Sequence, residues 1–290
     1  MNQIKSVMLL ALLSAILMAI GGFFGGRSGA MVMFIISLGI NFISYWNCDK
    51  IALRSYNAQP LEREDAPELF DMVEGLARKA GLPMPRLYVV PTDVPNAFAT
   101  GRDPEHAAVA VTEGIVTLID KDELAGVISH ELSHIKHRDT LIMTLSASIA
   151  GAISMIANMA QWAAIFGMGR NDDEHGGSNP IALIVTIVIA PIAAAIVQMA
   201  LSRSREYMAD AEGAAISGKP LALASALRKL DDYAHRKVMP EAQPSSSGLF
   251  IINPLSGVRS AMAGLFSTHP ATADRIARLE EIARKMHVSQ

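Results

Sequence analysis

Two histidines four residues apart, with a glutamate following the first, carry the clearest chemical signal in this sequence: His130-Glu131-Leu132-Ser133-His134. On a helix, residues i and i+4 leave from one face a turn apart, so both imidazoles reach one ion. The spacing suits zinc, and a catalytic zinc keeps one coordination position open. Glu131 falls beside that position, placed to take a proton from a water that the ion has made acidic. The chemistry is hydrolysis, with a Lewis acid and a carboxylate base working on one water. The flanks fit a helix: Asp122 and Glu123 suit its start, and Leu124, Val127, Ile128 and Ile135 are its apolar companions.

Three protein ligands are the rule for a catalytic zinc, so a further His, Asp or Glu must come from a separate helix facing the motif. Glu206 and Asp210, four apart in Arg205-Glu206-Tyr207-Met208-Ala209-Asp210, share one helix face. Read functionally, Glu206 binds zinc and Asp210 accepts a hydrogen bond from the free ring nitrogen of His130, fixing its tautomer. Read as surface, the same pair is a solvated face with helical salt bridges. The zinc motif favours the first reading.

The elements that must hold these groups include an unusual amount of apolar chain. Of 290 residues, 51% are hydrophobic and 18% charged, and the mean hydropathy is +0.29. Segments 6–26, 28–48, 140–169 and 176–202 contain no Asp, Glu, Lys or Arg. Each reaches the roughly 20 residues that a membrane-crossing helix needs. The first run follows Lys5 as in a signal peptide, but no small-x-small cleavage site comes after it and the second run begins almost at once. The two read better as a helical hairpin turning at Gly25-Gly26-Arg27-Ser28-Gly29. Pro191 should kink the fourth run, and the absence of ionisable residues within the third and fourth argues against a carrier or channel.

Lys50, Arg54, Lys136, Arg138, Arg203 and Arg205 flank the runs on one side, whereas Arg170 is outnumbered by Asp172, Asp173 and Glu174 on the other. Positive charge marks the cytoplasmic side, which places both termini and the zinc motif there. The expected organisation is a transmembrane hairpin (1–48), a cytoplasmic half-domain with the motif (49–139), two further spans joined by a short external loop (140–202), and a second cytoplasmic half-domain (203–290). A net charge of −3 excludes a basic nucleic-acid surface. Cys48, the only cysteine, cannot form an internal disulfide and is given a structural role. No feature sets an oligomeric state.

Within the half-domains, the pattern predicts a helix over 67–80 ending at Gly81-Leu82-Pro83, and a strand at Leu87–Val90. Two more strands, Asn96–Thr100 and Ala107–Thr112, should be joined by a Gly-Arg-Asp-Pro turn, with a short helix near 113–118 after them. Further helices are expected over 221–236 and after His269-Pro270, the last with Ile276, Leu279, Ile282 and Met286 as its apolar stripe. Segment 238–257, rich in Pro, Ser and Gly, is expected to be a long mobile loop. His137 should face the cytoplasm or lipid headgroups.

Four stretches in this order, Asn96-Ala97-Phe98-Ala99-Thr100-Gly101, His130–His134, Arg205-Glu206…Asp210 and Ser267-Thr268-His269-Pro270, resemble the HtpX family of membrane-bound zinc metalloproteases, relatives of the CaaX prenyl proteases. The resemblance covers nearly the whole chain. It implies a mostly α, α+β membrane protein with four transmembrane helices and a gluzincin-like cytoplasmic domain containing a small sheet. It also implies one Zn2+ per chain on His130, His134 and Glu206, with Glu131 as general base. Asn96, Ala97, Phe98, Ala99 and Thr100 would be the edge strand that lies along a polypeptide substrate. His269 would stabilise the oxyanion or occupy the open position at rest; it is equally well a residue that merely precedes the Pro270 helix start. By the same resemblance, misfolded or damaged membrane proteins would be cleaved at the cytoplasmic face of a bacterial inner membrane under stress. Two rivals remain: trimming of prenylated peptides, and a non-catalytic scaffold whose zinc ties the half-domains together.

Overall fold

A computed structural model describes residues 2–146, 203–236, 251 and 270–288 of the chain. Its first helix, α1 (Asn2–Trp46), is broken at Gly26, where φ 57° and ψ −146° leave helical space and the chain doubles back. The two arms touch at glycines: a Cβ on Gly29 would stand 2.2 Å from the Gly21 carbonyl oxygen, so neither position admits a side chain. Asn41 on the second arm donates to the Leu10 carbonyl (3.2 Å) and to Ser14 Oγ (2.9 Å) on the first. Gly25–Trp46 is the one helix among the described residues that is long and apolar enough to cross a membrane. At 1.5 Å per residue its length is about 33 Å, against a hydrocarbon core of about 30 Å. Met31, Val32, Ile35, Leu38, Phe42 and Ile43 point outward, away from any protein core. The apolar helical part of the first arm, Ser6–Ala19, is shorter. The third and fourth apolar runs lie outside the described residues except for 140–146, which are helical and buried.

A short helix, α2 (Cys48–Ser55), leads into a four-stranded sheet. Its strands are β1 (Gln59–Pro60), β2 (Arg86–Val90), β3 (Ala97–Thr100) and β4 (Ala108–Thr112), in the order β1-β2-β4-β3. β2 and β4 run parallel while β1 and β3 pair antiparallel at the flanks, which leaves β3 at an edge. Side chains alternate faces along a strand. Ala97, Ala99, Val109 and Val111 therefore join one core with the helices, while Phe98, Ala108 and Ala110 pack on the other face with Leu53, Val90 and Met143. Met143 belongs to the helical start of the third apolar run, and Leu141 and Leu145 beside it cover Cys48. That segment thus clamps the sheet to the base of the hairpin.

The first core is made with helices α3 (Pro67–Ala80), α5 (Lys121–Lys136), α6 (Arg203–Ser217), α7 (Pro220–Arg236) and α8 (Thr272–Val288); α4 (Glu113–Leu118) links β4 to α5. Helix α3 begins on Pro67 and closes on Gly81 at φ 71°, a left-handed cap that glycine takes without strain. Helix α5 opens with a capping box, Asp120 accepting from the Asp122 and Glu123 amides and Glu123 reaching back to the Asp120 amide. The same Glu123 carboxylate takes bonds from Ser225 (2.6 Å) and Lys229 (2.7 Å), so the cap also fastens α7. From Glu123 to Ile135 nearly every residue of α5 is buried. Ile251 is the one described residue of the stretch expected to be a loop, and it is buried in the core. His137 does not face water or lipid freely; it is half-buried and pairs with Glu212, which Lys136 also grips at 2.7 Å.

Candidate active site

Helix α5 presents His130, Glu131 and His134 toward α6 and β3, all within the core. Helix α6 can come close enough because of Gly213: a Cβ there would meet the His130 backbone nitrogen at 2.8 Å and its Cα at 3.0 Å. Glu206, Asp210 and Gly213 lie at i, i+4 and i+7, one face of α6. With Gly213 against His130, the two acidic side chains are carried to the histidine rings.

Nε2 of His130 and Nε2 of His134 are 3.2 Å apart. Glu206 Oε2 is 3.8 Å from the first and Oε1 is 3.5 Å from the second. On the far side of each ring, Nδ1 faces a carboxylate: His134 Nδ1 is 3.3 Å from Asp139 Oδ2, and His130 Nδ1 is 3.0 Å from Asp210 Oδ1. The second contact has ion-pair distance but an angle outside hydrogen-bond geometry. A carboxylate beside each Nδ1 favours the tautomer that carries its proton there, so in neutral rings both Nε2 atoms keep their lone pairs. Two lone pairs and a carboxylate then converge in a buried space, which is repulsive unless a cation joins them. Ligands bound at about 2.0–2.1 Å around a tetrahedral zinc stand about 3.3–3.4 Å apart. The donor separations here match that spacing, and all three donors fall within 4.8 Å of one another.

The surrounding charges agree. Burial alone would depress the His134 pKa, but the Asp139 contact and the charges of Glu206 and Glu131 outweigh it and lift it to about 9. The site draws in positive charge. Burial raises the Glu131 carboxyl, with Glu206 adding to the effect, while the two imidazoles and the Ala99 amide pull the other way. Glu131 Oε2 accepts the Ala99 N–H at 2.9 Å, which brings the carboxylate to the strand edge.

That edge has a defined polarity. The Thr112 amide donates to the Asn96 carbonyl (3.0 Å), so residues 96, 98 and 100 exchange bonds with β4. By the antiparallel alternation, Ala97 and Ala99 turn their N–H and C=O groups outward, as the Ala99 bond to Glu131 shows. Phe98 is buried on the opposite face at 1% exposure. The Asn96 side chain accepts the Ile251 N–H at 3.2 Å.

One residue missing from the sequence reading holds much of this together. Arg275 of α8 is fully buried and grips Asp210 through both ends of its guanidinium, Nε to Oδ2 at 2.8 Å and Nη2 to Oδ1 at 2.7 Å. Its Nη1 donates to the Ile251 carbonyl (2.7 Å) and lies 3.7 Å from Glu206. Burial opposes the Asp210 charge, but Arg275 overcomes it and holds the carboxyl down to about 2. A charge at position 275 is one turn before Leu279 on the same helix face. An arginine on a core stripe was the available signal. His269 lies outside the described residues.

A helix carrying two imidazoles and a carboxylate, a second helix supplying a glutamate, and a sheet edge alongside define a metallopeptidase. The chain belongs to peptidase family M48, whose model matches residues 63–283. Among its relatives, the Protease HtpX homolog of Pelotomaculum thermopropionicum is 53% identical over 283 residues, covering 98% of this chain and all of that protein. The Protease HtpX homolog of Pyrococcus furiosus is 50% identical over 285 residues, 98% of this chain and 97% of the other. The crystal structure of S. mikatae Ste24p shares the fold at a TM-score of 0.52 and 17% identity; the match covers 96% of this chain and 65% of that one.

Proposed function

We propose that this chain is a zinc endopeptidase anchored in a membrane, with His130, His134 and Glu206 holding the ion and Glu131 acting as general base. The observation that carries the reading is the convergence of two imidazole lone pairs and a buried carboxylate at zinc-ligand spacing, with a second carboxylate beside them. Zinc bound there supplies Lewis acidity, polarising the scissile carbonyl and acidifying water. Glu131 takes the water proton and hands it to the departing amine; its raised pKa suits a group that must both accept and release a proton. Asp210 aims the His130 ring.

The strand Asn96, Ala97, Phe98, Ala99, Thr100 is proposed as the substrate platform. An extended polypeptide adds to a strand edge through main-chain bonds whatever its sequence; Ala97 offers outward groups and Ala99 its outward carbonyl, the Ala99 N–H being held by Glu131. His269 is proposed as an oxyanion stabiliser or as a ligand at rest. Topologically, the positive flanks support four crossings with both termini and the site on the cytoplasmic side of a bacterial inner membrane. A platform that reads backbone beside a bilayer suits misfolded or damaged membrane proteins as substrates, as in a stress response.

The test is casein degradation by detergent-purified protein, with metal analysis of the same samples. Wild type should carry one zinc per chain and lose activity to a chelator, while Glu131→Gln should carry equal zinc and show no turnover. A fully metallated Glu131→Gln that still degrades casein would remove Glu131 from its role. A wild type that binds zinc but cleaves nothing would leave the scaffold reading.

A further inference from the structure

We propose that Asp139 and Arg205 are positioning residues for His134, the counterpart of the Asp210 and Arg275 pair that serves His130. The inference rests on the metallopeptidase reading of the site and adds two residues to it. Asp139 Oδ2 is 3.3 Å from His134 Nδ1, and its other oxygen pairs with the Arg205 guanidinium. Asp139 is 4% exposed and His134 1%, so the contact is sheltered from solvent competition. The geometry has a specific origin. Helix α5 ends at Lys136, Arg138 takes a left-handed conformation (φ 57°), and Asp139 directly after it lies against the ring. The next turn is pinned to the substrate strand, with Thr140 Oγ1 donating to the Gly101 carbonyl (2.9 Å) and Thr144 Oγ1 bonded to Thr100 Oγ1 (2.9 Å).

The arrangement is two parallel chains, His130–Asp210–Arg275 and His134–Asp139–Arg205. In each, a carboxylate lies against the imidazole Nδ1 and an arginine grips that carboxylate from its other side, so that the ring is held with Nε2 turned to the site. Helix α6 contributes to both, giving Arg205 to one and Asp210 to the other, with Glu206 between them. Arg205 and Glu206 are adjacent in sequence. The ion pair to Asp139 therefore fixes the first turn of α6, from which Glu206 reaches the rings.

Full-length protein in detergent tests the proposal through metal binding instead of turnover. Asp139→Ala should weaken zinc binding about 10–100-fold, measured by competition with a chromophoric chelator, and should alter the visible spectrum of the cobalt-substituted protein. Arg205→Gln should move both readouts in the same direction by less, and Arg205→Lys should restore part of the loss. Glu212→Gln, which breaks a separate tie between α5 and α6, is the control: its zinc affinity and cobalt spectrum should stay at wild type. Wild-type affinity and spectrum in both Asp139→Ala and Arg205→Gln would overturn the proposal. So would equal losses in Glu212→Gln, which would make the effect one of helix packing. If Asp139→Ala does not fold, the two Arg205 variants decide alone. A wild type that fails to bind zinc would instead sink the metallopeptidase reading, so the two failures are distinct.

Discussion

If zinc is held as proposed, Asp210 stands between a ring that it would aim and a guanidinium that grips it, and its loss should differ from the loss of a ligand. Asp210→Ala leaves the three donors of the ion in place, so zinc should still bind to one per chain at saturation, about 10–100-fold more weakly. Glu206→Ala removes a donor, and the purified protein should hold well under one zinc per chain. Metal analysis after dialysis distinguishes them; equal retention in both would demote Glu206. His134 gives a prediction in pH. Its ordinary pKa is near 6.5, and the surrounding carboxylates, Asp139 above all, lift it to about 9 against the opposing effect of burial. A folded-state pKa above the unfolded one means that the proton favours the fold. That stabilisation is complete below about pH 6.5 and disappears as pH rises through about 9. Metal-stripped protein should therefore melt at progressively lower temperature across that interval, and saturating zinc should flatten the trend because the ion replaces the proton. A stripped protein whose melting point rose over the same interval would contradict this account of the site's charge.

At the scale of elements, the site depends on how closely α6 lies on α5. Gly213→Ala sets a methyl against the His130 backbone; the helices must part, at a cost of about 1–3 kcal/mol. The expected signature is a lower melting point together with weaker zinc binding, since the displaced helix carries Glu206 and Asp210. On the strand, Ala97→Pro removes an outward amide while leaving the bonds to β4, a position where an edge tolerates proline. It should raise KM for an unfolded substrate with zinc content unchanged, and an unaltered KM would mean that substrate lies elsewhere. Much of this scale was readable in the residues. The 3.6 periodicity and end signals located α3, α7 and α8, and the two short runs on either side of Gly-Arg-Asp-Pro located β3 and β4. The motif and the acidic pair at 206 and 210 are fixed by helical spacing, so their shared faces could be read directly. Asp139 could not, because it approaches His134 after a left-handed residue, Arg138, that ends the helix and that no periodicity announces. Arg275 was hidden by habit: an arginine near a helix start is normally solvated, and only the identity of its stripe partner Leu279 marks it as interior.

For the molecule as a whole, one ion would join parts that are far apart in sequence. Helix α5 brings His130 and His134, α6 brings Glu206, and Arg275 extends the connection to α8 near the C-terminal end. Ligand linkage then makes zinc a folding cofactor: free zinc at 1,000 times its dissociation constant stabilises by about 4 kcal/mol. Stripping the ion should lower the melting point of the full-length protein in detergent, and restoring zinc should recover it; an unchanged melting point would mean that the half-domains hold each other without the ion.

The near-complete burial of the donors has a kinetic side. At 1%, 1% and 0% exposure for His130, His134 and Glu206, a chelator in bulk solution would have no direct approach to an ion held by the three. Metal loss would then wait for the fold to breathe, and the rate of inactivation should climb with chelator concentration and then level off. That plateau would report the opening rate of the site, and a polypeptide that has to reach the same atoms would be bound by it too.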